Sequence, residues 1–184
     1  MNLRLFLQKM KGGETSPDRK PFSEIAWSWL GAFFGIYLAA TAGSMVGADL
    51  LSRLFLVGSF GASAVLLYGA PQADFSQPRN LLGGHILSAI IGVSVNAFLP
   101  FDMALLGALA VSLSILVMHL TRTLHPPGGA TALIAVIGGT NITDMGYSFV
   151  GAPIATGAVV LLLVALLLNN LSNNPKRQYP KYWL

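Results

Sequence analysis

His125-Pro126-Pro127-Gly128-Gly129-Ala130-Thr131 gathers side chains that can do chemistry into one short stretch. Histidine changes charge near neutral pH, so His125 can bind an anion, relay a proton, or cap carbonyls freed by the prolines. Two consecutive prolines remove two backbone donors and stop a helix arriving from 105–120. The two glycines let the chain turn or let a ligand approach its backbone. A helix restarting near residue 130 would leave its first N–H groups unpaired and partly positive, a setting that suits an anion. Between apolar runs in a bilayer, such a break is tolerated only where it is buried in protein or lines a cavity.

A second stretch resembles the first. Gly61-Ala62-Ser63-Ala64-Val65-Leu66 parallels Gly129-Ala130-Thr131-Ala132-Leu133-Ile134. Two short, glycine-started helices could face each other with a hydroxyl apiece. The expected substrate-binding set is therefore Gly61, Ser63, His125, Gly128, Gly129 and Thr131. The competing reading has Ser63 and Thr131 bonding to their own helix carbonyls, with the glycines serving close packing. The polar run before the third long helix supplies a vestibule or structural set: Gln77, Arg79, Asn80 and His85, with Arg122 at a corresponding position. His119, late in the fourth helix, fits the helix end better than a transport role.

The elements that must position these residues are membrane elements. Hydrophobic residues make up 54% of the 184, charged residues 10%, and mean hydropathy is +0.65. A soluble domain carries roughly 25% charged residues. Charged residues divide the chain into uncharged windows. Four hold long helices, at about 25–47, 81–99, 103–120 and 147–171. Two hold short broken helices, around 54–69 and 128–139. The expected fold is an all-α integral membrane protein with six membrane segments in two inverted repeats of three, the halves being about 25–99 and 103–171. The alternative is four spans plus two re-entrant segments. With residues 1–24 as a basic cytoplasmic tail and 172–184 as a cytoplasmic C-terminal tail, Arg79, Arg122 and Lys176 fall inside and Asp49, Asp102 and Asp144 outside, with only Arg53 on the unexpected side, which fits the positive-inside rule. Inverted repeats with broken helices are a common transporter build, with the site where the breaks meet near mid-membrane.

Several chemistries are excluded. There is no cysteine, hence no disulfide or thiolate. No carboxylate pair lies within a window, three scattered histidines lack zinc spacing, and no phosphate or dinucleotide loop is present. The expectation is a non-enzyme with no catalytic residue, no metal and no cofactor. Its partners are the lipid bilayer and a small anion, with no nucleic acid. Small residues at helical spacing on the first helix (Gly31, Gly35, Ala39, Gly43) suit either a homodimer interface or packing within the monomer.

Gly58-Ser59-Phe60-Gly61-Ala62-Ser63-Ala64, Gly69-Ala70-Pro71, Ser76-Gln77-Pro78-Arg79-Asn80, Gly83-Gly84-His85 and Thr121 through Ala132 together resemble the HPP family of small integral membrane proteins, named for His125-Pro126-Pro127. The resemblance runs from about residue 25 to 171. It implies four membrane-spanning helices by the family's usual description, against the six read from the windows. Some family members are reported as nitrite transporters, so it also implies a small-anion permease with nitrite as the leading substrate. The alternatives are a channel for a small solute and a non-transporting scaffold. The sequence begins without a plastid-type leader, which points to the cell inner membrane with both termini cytoplasmic.

Overall fold

The computed structural model describes residues 15–45 and 58–184, with Leu7, Lys9 and Met10 besides. Windows and charges falling elsewhere, including Asp49, Arg53 and the start of the 54–69 segment, lie outside the described residues. Helix α1 spans Phe22–Met45. Helix α2 covers residues 58–69 and widens into a π-turn over Val65–Gly69. Then come α3 (Pro78–Phe98), α4 (Met103–Leu120), α5 (Pro126–Ile137), the single turn α6 (Thr140–Thr143), and α7, π-helical over Val150–Ala155 and α-helical over Thr156–Asn170. The described residues contain no strand. Among the described residues, four helices are long and apolar enough to cross a membrane: Phe22–Ala42, Pro78–Phe98, Met103–Leu120 and Val150–Asn170.

Local chemistry sets the helix starts. The Asp102 carboxylate accepts from the N–H groups of Ala104 (3.0 Å) and Leu105 (3.1 Å), capping α4. Pro78 opens α3, and Pro126 and Pro127 open α5. Proline fits a first turn because the N–H it lacks has no partner there and its φ is already helical. The expected start of the fifth segment near 128 is thus corrected to Pro126, and so is the expected stop: α4 ends at Leu120 ahead of the prolines, where Arg122 turns left-handed (φ 58°) and Thr123 N–H closes on Met118 O (2.9 Å). Gly61 likewise lies within a helix running through 58–64, not at its first residue.

One end of the bundle collects polar side chains. Carbonyls at the π-turn of α2 accept from side chains in four other parts of the chain. Leu66 O accepts from Ser76 Oγ (3.0 Å) and Leu67 O from Asn169 Nδ2 (3.0 Å). Tyr68 O accepts from Ser28 Oγ (2.7 Å) and Arg177 Nη2 (2.9 Å), and Gly69 O from Lys20 Nζ. Arg177 also pairs with Glu24 at 3.2 Å, with both side chains largely buried. The beginning of α1, the ends of α2 and α7, and the C-terminal segment therefore meet at one end, called here the tail end.

The larger apolar core joins α1, α2, α3 and α7 around Leu67, Tyr68, Leu81, Ile154 and Leu161; a smaller one joins α3, α4 and α5 around Val95, Ala110 and Ala132. Tyr68 lies flat against α1, where a Cβ on Gly35 would stand 2.2 Å from its hydroxyl. Gly31, Gly35 and Ala39 are thus used inside the monomer; the surroundings of Gly43 lie outside the described residues. The opposite face of α1 exposes Trp29, Phe33 and Tyr37, a surface suited to lipid.

Candidate functional site

Four polar side chains from three helices and one loop meet in the apolar interior. Ser63 of α2, His85 of α3, Thr131 of α5 and His125, just before α5, all have zero exposure. The His85 Nδ1 atom lies 2.8 Å from Thr131 Oγ1, and its Nε2 lies 2.7 Å from Ser63 Oγ. Ser63 Oγ is also 2.8 Å from His125 Nε2, and His125 Nδ1 is 2.7 Å from the carbonyl of Phe75. The imidazole centroids stand 4.9 Å apart, and Phe60 meets His85 edge-on at 5.3 Å.

Helix crossing makes this meeting possible. A Cβ on Gly84 would lie 2.4 Å from His125 Cβ, and one on Gly128 would lie 2.7 Å from Gly84 O. The paired glycines let the start of α5 press onto α3, which brings His125 within reach of Ser63. Asn80 Nδ2 donates to Leu124 O (2.8 Å) and fixes the residue before His125. The cluster sits about 10 Å in from the tail end, since His85 is seven residues into α3 at 1.5 Å per residue. It therefore lies nearer the start of α3 than its middle.

With both rings neutral, the bonds fix where the hydrogens are. The Phe75 carbonyl only accepts, so His125 carries its proton on Nδ1. Its neutral Nε2 then accepts the Ser63 hydroxyl hydrogen. The Ser63 oxygen can then only accept from His85, which places the His85 proton on Nε2. His85 Nδ1 accepts from Thr131. One direction of donation, Thr131 to His85 to Ser63 to His125 to Phe75 O, satisfies every group with both rings neutral.

Of the expected substrate-binding residues, Ser63, His125 and Thr131 come together, and His85, expected at a vestibule, completes the set. A Cβ on Gly61 would meet no atom of the described residues within 4 Å, while Gly129 points toward Val111 on α4 at 3.7 Å. Gly128 lies in the α3–α5 contact. Gln77 is buried, donating to Pro71 O (2.9 Å) and Ala73 O (2.8 Å) and accepting from Lys181 N (2.7 Å). Arg79 Nη2 donates to Thr121 O (2.8 Å) at the end of α4. Arg122 is exposed with φ 58°, and His119 is exposed. A separate open cavity of about 980 Å³ at the tail end, lined by Arg19, Lys20, Glu24, Gln72 and Lys176 among others, does not include the cluster. Sequence reading did not find the Phe75 carbonyl, the Glu24–Arg177 pair or the docked C-terminal segment. Glu24 was visible only as a carboxylate at the edge of a window.

Long apolar helices, a polar cluster sealed among them and a polar tail end define a multi-pass helical membrane protein. Residues 17–180 match the family described as HPP, transmembrane region, and the chain belongs to that family. It is 45% identical over 181 residues to one transmembrane protein of Dictyostelium discoideum and 44% identical over 176 residues to another. These alignments cover 97% and 92% of this chain but 57% and 60% of the relatives, so the chain spans somewhat over half of their length. No solved structure matches it.

Proposed function

We propose that the protein transports a small inorganic anion, nitrite first among candidates, through a site between the two short helices α2 and α5. The observation that carries this is the sealed cluster of Ser63, His85, His125 and Thr131. Polar and ionisable groups inside a membrane are costly and are characteristic of ion and proton pathways. Ser63 and Thr131 hold equivalent places in the two similar stretches, and both bond to His85, one on each ring nitrogen. Gly61, Gly128 and Gly129 flank these hydroxyls. Arg79 and Arg122 lie toward the tail end, where positive charge would concentrate an anion.

Six crossings in two inverted halves suit this reading, and the positions of the helix ends support them. α1 begins at the tail end, where Glu24 meets Arg177, and α2 finishes there at Gly69. α3 also begins there and α4 ends there beside Arg79, while α5 starts further in, level with Gly84 of α3, and runs away from the tail end. α7 returns to it, with Asn169 bonded to Arg177. Helices α1–α3 would then cross in the opposite sense to the α4, α5 and α7 unit. The tail end carries Lys20, Arg79, Arg122, Lys176 and Arg177, so we place it and both termini in the cytoplasm, with the protein in the cell membrane.

The test is uptake of labelled nitrite by purified protein in liposomes, with formate and nitrate as competitors. Wild-type protein should carry nitrite well above protein-free vesicles. The double variant Ser63→Ala, Thr131→Val should lower it about tenfold or more, because both hydroxyls that bond to His85 would be lost. Uptake by that variant at the wild-type rate would remove this site, and no uptake by wild type would remove the substrate.

A further inference from the structure

We infer that the two histidines take up a proton together with the anion, so that each anion crosses as a neutral pair with one proton. This rests on the transport reading above and specifies how the same site handles charge. At rest the cluster is neutral, with every hydrogen committed. Among the described contacts, no lysine, arginine or carboxylate meets either ring. The groups facing them are Ser63, Thr131, the Phe75 carbonyl, the edge of Phe60 and the other imidazole. A bare anion entering this interior would find no positive charge, and an isolated buried ion is strongly disfavoured. One added proton supplies the charge from within the site.

The geometry has a place for that proton at either ring. Each hydroxyl has a second acceptor one turn back in its own helix. Ser63 Oγ reaches Ser59 O at 3.2 Å, and Thr131 Oγ1 reaches Pro127 O at 3.4 Å. When a proton arrives on His85 Nδ1, the Thr131 hydrogen turns to Pro127 O and its oxygen accepts from the ring. When a proton sits on His125 Nε2, the Ser63 hydrogen turns to Ser59 O and its oxygen accepts from both rings. Ser63 can also pass the charge on: it takes the His85 Nε2 proton as its own hydrogen passes to His125 Nε2, which leaves His85 neutral with its proton on Nδ1, donating to Thr131, and its bare Nε2 accepting from Ser63. No bond other than N–H and O–H changes, and the charge moves from one imidazole to the other. The proton comes from water on the side of anion entrance and returns to water on the other.

The experiment uses the full chain in liposomes containing a pH-sensitive dye, with potassium and valinomycin setting the potential. Nitrite, formate and nitrate are each supplied outside, and rates are taken above those of protein-free vesicles. The expected result is one proton entering per anion, with an initial rate unchanged when the interior is made about 60 mV negative, a step that would shift the balance for a lone anion about tenfold. Ser63→Ala and Thr131→Val should each lower coupled uptake about tenfold or more, while Thr131→Ser, which keeps the hydroxyl, should retain it. Anion entrance that slows at negative potential without proton entrance would overturn the inference and leave the transport reading standing. So would wild-type coupling in both hydroxyl-free variants. If wild type moves none of the three anions, the transport reading falls and this inference with it.

Discussion

His125 carries the strongest residue-scale claim, because it has two partners that cannot be replaced from water. Its Nδ1 holds the Phe75 carbonyl and its Nε2 holds Ser63. We expect His125→Ala to lower transport by about tenfold to a hundredfold, the effect of about 1–3 kcal/mol for each unsatisfied buried partner, while protein abundance changes little. Quantitative blotting beside the flux assay checks both halves; unchanged flux at equal abundance would assign His125 to structure alone. The sequence made Ser63, His125 and Thr131 legible because two similar stretches placed hydroxyls at matching offsets and a histidine beside one of them. It put His85 only at a vestibule. That His85 joins the two hydroxyls depends on how three helices cross, and helical spacing within one segment carries no information about that. The Phe75 carbonyl could not be found at all, since a backbone acceptor in a loop leaves no mark in side-chain type.

At the scale of elements, the double proline forms the first turn of α5, where missing donors have no cost. α4 has already closed at Arg122, whose φ of 58° lets Thr123 N–H reach Met118 O. The sequence argument gave the prolines the stop and so set the helix start late. Gly84 and Gly128 then let α5 lie directly on α3. Gly128→Ala should lower the thermal midpoint, by about 1–3 kcal/mol of stability, because its new methyl would meet Gly84 backbone at 2.7 Å. Gly61→Ala should leave it unchanged, because no atom of the described residues lies within 4 Å of the added one. Thermal unfolding of the two variants in one detergent compares them directly; equal midpoints would mean that the α3–α5 contact has room to relax. The long helices were legible to within a few residues, since apolar length is written in composition. The π-turns were not, because widening a helix by one residue per turn reflects what its carbonyls meet elsewhere, as at Leu66, Leu67 and Tyr68.

The whole molecule is closed by a pair distant in sequence. Arg177, nearly at the C-terminus, is buried against Glu24 of α1, Tyr68 O of α2 and Asn169 of α7. Tyr179 donates to Ser76 O (2.8 Å) and Lys181 N to Gln77 (2.7 Å), so the last residues lie over the loop that holds Phe75. Sequence alone reads residues 172–184 as a basic tail, because positive charge near a membrane ordinarily marks topology. Burial of one of these charges follows from acceptors that α2 exposes, which composition does not record. Arg177→Ala should destabilise the protein by about 3–5 kcal/mol, since Glu24 would be left buried without its partner. Differential scanning fluorimetry would register this as a clear loss of midpoint; a shift no larger than that of a surface lysine variant such as Lys176→Ala would show that the pair contributes little.

All three scales converge on a sealed polar site in a small membrane bundle, and its purpose is tested most directly by flux. The measurement is the initial rate of labelled nitrite entering liposomes as the amount of purified wild-type protein is raised, with protein-free vesicles subtracted. The account predicts a rate that rises in proportion to protein, saturates with nitrite and is lowered by competing small anions. A rate that stays at the protein-free level at every protein amount and every imposed pH gradient would contradict it.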